Sequence, residues 1–276
     1  MDVLAVKNLC KKYESFELRN DSFGLREGTV TGFIGRNGAG KTTTLKSLLN
    51  FVHPDGGEIR FFGQEFVGHE LAVKQRIGFV SGGIDYYPMK KLKAITDVTK
   101  RFYPQWDGGA YRRYMKLFGL DERKTPKQLS EGMKVKYSLA LALSHHAELL
   151  LFDEPTSGLD PVSRDELLDI FLSLVRDEGI TLLFSTHITT DLEKCADNIL
   201  YIKNGEILAD MALDDFLAGY KVARFAGDVP RDDRLIGIKR ERSGCTALVR
   251  AGDLPAEGAE LSDACLEEVM VHMEKE

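Results

Sequence analysis

The sequence predicts an α/β fold whose central sheet is mostly parallel and covered by helices on both faces. Two runs, ELLLFDEP at 148–155 and TLLFSTH at 181–187, are apolar along their strand-like part, as expected of strands that are buried on both sides. A helical pattern lies between them, and glycine bounds most of the earlier strand-like runs. Strands that alternate with helices in this way are typical of a parallel sheet.

Short β-like runs and turns alternate over the first 80 residues. The runs are rich in Val, Ile and Phe, and a strand is predicted from each of VLAVKNL, GTVTGFIG, GEIRFFG and RIGFVS. The period then changes, because Leu92, Ile95 and Phe102 recur at helical spacing. Further helices are predicted over about 110–118 and after Leu129. The block at about 90–145 is therefore predicted to be a helical insertion into the α/β core.

The helix between the two buried strands has clear start and stop signals. Asp160 suits its N-cap and Pro161 its first turn, while Gly179 suits its C-terminal end. Its predicted apolar face comprises Leu167, Ile170, Phe171, Leu174 and Val175. Strand patterns return after it in TLLFSTH and NILYIKNGEIL.

The pattern weakens after about Gly219. Residues 221–276 contain two β-like pieces, KVARFAG and CTALVRAG, and end in LEEVMVHMEKE, for which a helix is predicted. We therefore predict a main domain over residues 1–218 and a small C-terminal extension over 219–276.

The composition is that of an ordinary globular protein and argues against some classes of function. Of the 276 residues, 43% are hydrophobic and 29% charged, and the net charge of −6 argues against nucleic-acid binding, which needs clustered basic charge. No apolar run approaches the roughly 20 residues that span a bilayer. The N-terminal MDVLAVKNLCKKYE has no apolar stretch of signal-peptide length. We therefore expect a cytoplasmic protein that reaches a membrane only by docking to another protein.

The cysteines and the adjacent histidines do not suggest a metal site. His145 and His146 are neighbours, whereas helical metal ligands prefer a spacing of four residues, so a solvated helix end is the favoured interpretation. No export signal is seen, so reduced thiols are expected at Cys10, Cys195, Cys245 and Cys265.

The segment GRNGAGKT at 35–42 fits G-x-x-x-x-G-K-[ST] and lies between a strand-like and a helix-like run. Its glycines let several N–H groups point at an anion, and the N-terminus of the following helix adds to this nest. Lys41 would contact the β- and γ-phosphates of a nucleotide, Thr42 would ligate Mg²⁺, and Thr43 would contact a further phosphate. An accidental glycine-rich turn is disfavoured because so many positions match. The predicted nucleotide-binding residues are Gly35, Arg36, Asn37, Gly38, Ala39, Gly40, Lys41, Thr42 and Thr43.

Acidic residues and a histidine follow two of the buried strands. Asp153 and Glu154 end LLLFDEP at the sheet edge where ligands bind in open α/β folds. Asp153 suits an outer-shell role on Mg²⁺, and Glu154 suits a general base for water that attacks the γ-phosphate. His187 ends the next strand and is predicted to lie near the γ-phosphate as a donor or water-orienting group. Alone, DEP at a strand end is often only a solvated turn, and a lone histidine there is more often structural or merely exposed. Together with the phosphate loop, the two motifs favour a catalytic site.

Motifs in this order resemble those of ATP-binding subunits of ABC transporters. LSEGM at 129–133 is similar to that family's signature sequence, SGLD at 157–160 to its D-loop, and STH at 185–187 to its switch histidine. Tyr13 matches the aromatic residue that stacks on adenine. The resemblance covers about residues 1–218. It implies a P-loop NTPase (RecA-like) core with an N-terminal antiparallel β subdomain and an inserted α-helical subdomain.

The resemblance also implies partners. Two ATPase subunits, identical or different, would face each other head to tail around two ATP molecules and drive a separate membrane permease. Ser130 and Gly132 would then serve the ATP of the opposite subunit, and Asp160 would cross the interface. The stretch YYPMKKLKAITDVTKRFYPQWD, together with the sequence from LSEGM to SRDELL, resembles bacterial ABC-2-type exporter ATPases. The alternatives are an ABC ATPase that acts on ribosomes or DNA, and a regulatory nucleotide-switch subunit of a heterodimer. The single cassette and the acidic charge disfavour the first, and the presence of Glu154 and His187 disfavours the second.

Three positions depart from the family pattern. Glu131 stands where the signature has glycine, and Met133 stands where it has glutamine. We expect the Glu131 carboxylate to point away from the phosphate or to pair with a nearby Arg or Lys. The usual loop glutamine is replaced by Gly82, and Asp85 is the predicted substitute ligand for Mg²⁺. Four aromatic residues flank the helix after this loop and are equally suited to packing or to docking a permease, namely Tyr86, Tyr87, Tyr103 and Trp106.

Overall fold

The computed structural model describes residues 2–81, 87–226, 232–242, 244–253 and 258–275. Gly82, Asp85 and Tyr86 lie outside these ranges, so the predictions made for them stay predictions. The strands are β1 (Asp2–Lys12), β2 (Glu17–Arg26), β3 (Val30–Ile34), β4 (Gly56–Phe61), β5 (Gln64–Glu65), β6 (Ile77–Ser81), β7 (Leu149–Asp153), β8 (Thr181–Thr186), β9 (Asn198–Lys203), β10 (Glu206–Ala212), β11 (Tyr220–Phe225), β12 (Ile236–Glu241), β13 (Gly244–Arg250) and β14 (Glu260–Asp263). The helices are α1 (Lys41–Leu48), α2 (Glu70–Lys74), α3 (Leu92–Thr99), α4 (Gly108–Leu117), α5 (Glu131–Ser144), α6 (Pro161–Glu178), α7 (Thr189–Cys195), α8 (Leu213–Ala218) and α9 (Leu266–Met273).

The central sheet confirms the predicted α/β class. Its strand order is β10-β9-β3-β8-β7-β6, and every pair is parallel except β9 with β10. All residues of β3, β7 and β8 are buried, which is why their sequences are apolar without alternation. Because these strands are parallel neighbours, the residues that follow their carboxyl ends meet at one edge of the sheet.

The N-terminal antiparallel sheet contains a strand that was not recognised in the sequence. Its order is β2-β1-β4-β5. In β2 the inward positions include Asp21 between apolar residues, and this polar residue disrupts the expected alternation. The Asp21 side chain is only 2% exposed and accepts a hydrogen bond from the Ile207 amide at 2.9 Å. Burial raises the pKa of its carboxyl group to about 6.

Helices α3, α4 and α5 pack around buried tyrosines. The Tyr137 hydroxyl donates to the Leu92 carbonyl at 2.9 Å and also bonds the Thr96 hydroxyl at 2.7 Å. Trp106 is partly buried against the same core, and the Tyr103 ring stacks on the ring of His145. Tyr87 is 63% exposed. Of the aromatic residues predicted either to pack or to dock, Tyr103 and Trp106 therefore pack, and Tyr87 is left at the surface.

His145 corrects the prediction of a solvated helix end. Its side chain is buried, its ring stacks on Tyr103 with centroids 3.8 Å apart, and its Nδ1 lies 3.1 Å from the Gln75 carbonyl oxygen. Burial lowers the pKa of His145 to about 4. His146 is exposed as expected. The prediction failed because Tyr103, 42 positions earlier, supplies the covering ring.

The predicted helix over 161–178 is confirmed together with its end signals. The Asp160 carboxylate accepts from the amides of Val162 and Ser163, and Gly179 ends the helix with φ 68°.

A third sheet, with order β12-β13-β11-β14, follows α8 and packs against α9. The four cysteines are free thiols. In the part of the chain that the structure describes, no helix has the length and apolar character needed to cross a bilayer.

Candidate functional site

The phosphate loop joins the central strand β3 to helix α1. Gly38 has φ 84° and Gly40 has φ 123°, which are conformations that favour glycine. A Cβ atom on Gly35 would lie 2.3 Å from the Ile202 carbonyl oxygen. Local sterics therefore account for all three glycines, and the loop ends at the amino terminus of a helix, where backbone N–H groups favour an anion.

Lys41 lies at the mouth of this loop and is only 5% exposed. Its Nζ donates to the Gly35 carbonyl at 2.7 Å and lies 3.3 Å from Glu154 Oε1. A buried ammonium group needs such partners because burial without them is costly. These contacts hold the positive charge between the loop and the acidic strand end.

Asp153 and Thr42 are in direct contact. The Thr42 hydroxyl donates to Asp153 Oδ1 at 3.0 Å, and the Ser185 hydroxyl donates to the same oxygen at 2.8 Å. Ser185 also accepts a hydrogen bond from the Glu154 amide at 3.0 Å. Sequence reasoning missed Ser185, although it is the first residue of the STH motif at the end of β8.

Glu154 has an unusual backbone. Its φ of 54° is in the left-handed region, which costs a non-glycine residue about 1–3 kcal/mol. The bonds from its amide to Ser185 hold this conformation. As a result its carboxylate points across the loop, where Oε2 lies 2.9 Å from His187 Nδ1 and Oε1 faces Lys41. Strain of this kind is typical of functional sites.

A cleft of about 680 Å³ opens above these groups. Most of the residues predicted to bind the nucleotide or to catalyse line it, namely Tyr13, Arg36, Asn37, Gly38, Gly40, Lys41, Thr42, Thr43, Glu154 and His187. Ser15, Phe16 and Ser157 line it as well and were not predicted. Its size and polar lining suit a nucleotide. Gly35, Ala39 and Asp153 are not part of the lining.

The signature residues are not part of this cleft. Within the described ranges, its lining does not include Ser130, Gly132 or Asp160. Ser130 instead caps α5, where its hydroxyl oxygen accepts from the Met133 amide at 3.3 Å. Glu131 pairs with Lys134 at 2.7 Å, which is the ionic alternative considered for this residue.

The C-terminal helix contacts both sides of the site. Glu274, just after α9, accepts from the Tyr201 hydroxyl at 3.0 Å and lies 3.8 Å from the Arg36 guanidinium of the phosphate loop. At the amino-terminal end of α9, the Leu266 amide donates to the Glu193 side chain of α7 at 2.6 Å. Residues 219–276 therefore contact the phosphate loop and the helix that follows His187.

Comparison with known proteins agrees with this geometry. The sequence profile of the family described as "ABC transporter" matches residues 18–157. The chain belongs to the ABC transporter family. It is 31% identical over 215 residues to the bacitracin transport ATP-binding protein BcrA of Bacillus licheniformis, covering 77% of this chain and 70% of that protein. It is 34% identical over 214 residues to the linearmycin resistance ATP-binding protein LnrL of Bacillus subtilis, covering 75% and 68% respectively.

Solved structures of ABC cassettes have the same fold. An ATP-binding subunit of an ABC transporter aligns with TM-score 0.69 at 27% identity, covering 77% of this chain and 91% of that one. A dimeric cassette in a post-hydrolysis state, bound to ADP and Pi, aligns with TM-score 0.66 at 23% identity, covering 76% and 98%. The protein is therefore an ATP-binding ABC transporter ATPase with the expected P-loop NTPase fold.

Proposed function

We propose that this ABC ATPase pairs with a second ATPase subunit around two ATP molecules and powers export through a separate membrane permease of the ABC-2 type. One relative is named for bacitracin transport and another for linearmycin resistance, and resistance favours movement of a compound out of the cell. The protein would lie on the inner face of the cell membrane, held there by its permease.

The observation that carries the proposal is the position of Glu154. Its carboxylate lies between Lys41 at 3.3 Å and His187 at 2.9 Å, at the mouth of the phosphate loop. A carboxylate there would accept a proton from the water that attacks the γ-phosphate. His187 would orient that water or donate to the γ-phosphate. Lys41 would turn its ammonium group to the phosphates when ATP enters.

The residues present also fit Mg²⁺. Thr42 Oγ1 and the Asp153 carboxylate are hard oxygen ligands held 3.0 Å apart. In the described part of the chain no group of three or more His, Cys, Asp or Glu side chains could hold a metal ion. Mg²⁺ commonly binds to one or two protein oxygens and completes its shell with phosphates and water. When bound, the ion would neutralise charge that develops on the phosphates.

The second subunit is needed to complete the site. Ser130, Gly132 and Asp160 lie outside the cleft of their own chain, so we propose that they serve the ATP of the opposite subunit. Tyr13, which lines the cleft and is 43% exposed, would stack on adenine.

An exposed apolar surface suits the permease. Phe51 and Leu71 are 59% and 78% exposed, and Phe102 is 68% exposed. Neighbouring contacts connect them. The Gln75 amide donates to the Leu71 carbonyl at 3.2 Å and its side chain donates to the Phe102 carbonyl at 2.8 Å, while Lys74, the preceding residue, lies over the Phe51 ring. We propose that a cytoplasmic helix of the permease docks on this surface. We also propose that residues 1–218 form the ATPase domain, with the helical insertion at about 90–145, and that 219–276 form an extension that braces it.

The test is the variant Glu154→Gln. Loss of the general base should lower phosphate release by roughly 10²- to 10⁴-fold while ATP binding persists, so that an ATP-bound dimer accumulates. Glu58→Gln, an exposed carboxylate in β4, is the matched control and should behave as the wild type. Hydrolysis that is unchanged in Glu154→Gln would overturn the assignment of the base.

A second experiment tests the partner. The trapped Glu154→Gln protein is purified from detergent-solubilised membranes, and the co-purifying proteins are identified. A polytopic membrane protein supports the transporter assignment. Recovery of ribosomes or DNA-bound complexes without a membrane protein would contradict it.

A further inference from the structure

A polar cluster of two buried side chains and one half-buried arginine lies behind the catalytic residues and takes no part in the roles proposed so far. Asp191, in α7, is only 2% exposed. Its Oδ1 lies 4.0 Å from Nε of Arg164 in α6. Thr156, which is fully buried, comes two residues after Glu154. These three side chains belong to three segments that surround the site.

The cluster is incompletely bonded. Asp191 Oδ2, Arg164 Nε and Thr156 Oγ1 are buried atoms without a well-formed hydrogen bond to any described residue. Burial raises the pKa of the Asp191 carboxyl, and the nearby Thr156 hydroxyl and Arg164 guanidinium oppose that increase. Buried polar groups are bonded in most proteins, so a loose cluster beside a catalytic centre calls for a functional explanation.

Arg164 also reaches the D-loop. Its Nη2 lies 3.4 Å from the Leu159 carbonyl oxygen, directly before Asp160. One guanidinium group therefore faces the D-loop with Nη2 and the helix after His187 with Nε. Only arginine can make both contacts with a single rigid fork.

We propose that Arg164 and Asp191 are positioning residues that transmit the position of the D-loop to His187. The inference rests on the proposed function, in which the D-loop meets the ATP of the opposite subunit. When the dimer closes, displacement of the D-loop moves Arg164 towards Asp191. The shortened contact pairs the buried Asp191 carboxylate with the half-buried Arg164 guanidinium and fixes α7, and with it the direction of the His187 ring at Glu154.

The chemistry of the cluster favours this arrangement over a purely structural ion pair. At 4.0 Å between Nε and Oδ1 the pair is longer than a hydrogen-bonded salt bridge. A shift of about 1 Å would bring it to hydrogen-bonding distance. Such a shift lies within what a loop undergoes at an interface. A movement of the D-loop towards α7 would therefore add bonds to the cluster, which is the property required of a coupling element.

The experiment uses Arg164→Lys and Asp191→Asn in the full chain. Lysine keeps the charge but cannot contact Leu159 and Asp191 together, and asparagine keeps the shape but not the charge. Each variant should lower kcat about tenfold or more, leave ATP affinity within about twofold, and still form the ATP-bound dimer in the Glu154→Gln background. Because both residues act in one chain of contacts, kcat of the double variant should be little lower than kcat of either single variant.

Arg176→Lys is the matched control, because Arg176 lies on the same helix in an exposed pair with Asp177 at 3.0 Å. This variant should leave kcat, ATP affinity and formation of the ATP-bound dimer as in the wild type. A conservative Asp191→Glu variant should recover part of kcat, since it restores the charge. If Asp191→Asn does not fold, Arg164→Lys carries the test alone.

The outcomes separate this inference from the proposed function. If wild-type protein does not hydrolyse ATP and Glu154→Gln does not trap a dimer, the proposed function fails. If those proteins behave as expected but Arg164→Lys and Asp191→Asn turn over at the wild-type rate, the positioning role is wrong. A loss of kcat, ATP affinity and thermal stability in parallel would indicate a structural pair and would also overturn it.

Discussion

The phosphate loop and the signature segment both carry glycines, but this chain constrains the two segments to different degrees. A Cβ at Gly35 would lie 2.3 Å from the Ile202 carbonyl oxygen, and Gly40 has φ 123°. A Cβ at Gly132 would meet only ordinary contacts, the nearest at 3.6 Å from Ser163 Cβ. The fold of the subunit itself therefore requires the phosphate-loop glycines, whereas the described surroundings of Gly132 would accept a side chain.

The same difference extends to the polar residues. Around the phosphate loop, Lys41, Asp153 and Glu154 are bonded to one another through Thr42, Ser185 and His187. In the signature segment, the Ser130 hydroxyl bonds locally as a helix cap, with no side-chain bond to a distant residue among those that the structure describes. The phosphate-loop residues are thus organised by their own chain, whereas the signature segment begins at the exposed residues Ser130 and Glu131. The proposed sharing of the site between two subunits would require this difference.

The sharpest test of this comparison is a pair of glycine variants. Gly35→Ala should lower the free energy of unfolding by about 1–3 kcal/mol, because the loop must move away from Ile202, and ATP binding should be lost with it. Gly132→Ala should leave stability within about 0.5 kcal/mol, since alanine suits a helix. It should still reduce turnover about tenfold or more, because its Cβ would pack against Leu159 and Ser163 at the D-loop and alter how the signature and the D-loop meet the partner's ATP.

Thermal unfolding, ATP binding to the isolated subunit and phosphate release are the three measurements for this pair. If Gly132→Ala unfolds as readily as Gly35→Ala, or loses ATP binding to the isolated subunit, the two segments do not differ in the way described.

Ser185→Ala tests how far the bonded half depends on its supporting hydroxyl. The change removes a donor to Asp153 and an acceptor for the Glu154 amide. We expect a loss of about 1–3 kcal/mol in stability, as for other buried groups that lose a partner, and a larger relative loss in turnover because Glu154 relaxes from φ 54°. Ser173→Ala, which removes a hydroxyl bonded within α6 at 2.8 Å, is the control for both measurements. Equal effects on turnover in the two variants would contradict a role for Ser185.

The sequence predicted the parts of the site that depend on local chemistry. The glycines and Lys41 follow one strand, Glu154 ends another, and Asp160 and Gly179 bound a helix, so each has a local pattern. Ser185 acquires its role only because β8 lies beside β7 in the sheet, with Ser185 opposite Asp153. Arg164 and Asp191 meet across two helices, and no spacing in the sequence indicates such a contact.

Errors in the fold prediction have the same origin. Strand β2 was missed because Asp21 is buried at a position where an apolar residue was expected, and its partner is the distant Ile207 amide. His145 was assigned to solvent because its cover, Tyr103, comes from another element. In each case a distant residue changes the environment of a polar side chain, which sequence periodicity does not report.

His145 makes the far end of the signature helix sensitive to acid. It follows α5 and is bonded to the Gln75 carbonyl, so it anchors the helix whose other end carries Ser130. Its pKa is lowered to about 4 by burial, below the roughly 6.5 of an unfolded histidine. The unfolded state therefore binds the proton first as pH falls, and stability is lost between about pH 6.5 and pH 4.

His145→Phe, which keeps a ring against Tyr103, should remove about 2 kcal/mol of the stability difference between pH 7.5 and pH 5. Denaturant unfolding at both pH values measures it. His146→Asn, at an exposed residue with φ 60°, should leave that difference unchanged. If His145→Phe retains the full acid sensitivity, another group is responsible and the helix is not anchored through a neutral His145.

The smallest expected effect concerns the carboxylate that this chain carries in the signature itself. Glu131 is paired with Lys134 at 2.7 Å on an exposed helix turn, so its charge is only partly neutralised. If the signature approaches the partner's triphosphate, the residual repulsion is of the order of 1 kcal/mol. Glu131→Gln in the Glu154→Gln background should then tighten the ATP-dependent dimer about fivefold at low salt, as measured by analytical ultracentrifugation. The gain should disappear at high salt because screening shortens the range of the charge. Glu166→Gln is the control, because the Glu166 carboxylate of α6 pairs with Lys136 of α5 at 2.7 Å. This variant should not tighten the dimer. A weaker dimer in Glu131→Gln would mean that the pair with Lys134 contributes to the interface, and the signature half would then be organised by its own chain more than its glycine suggests.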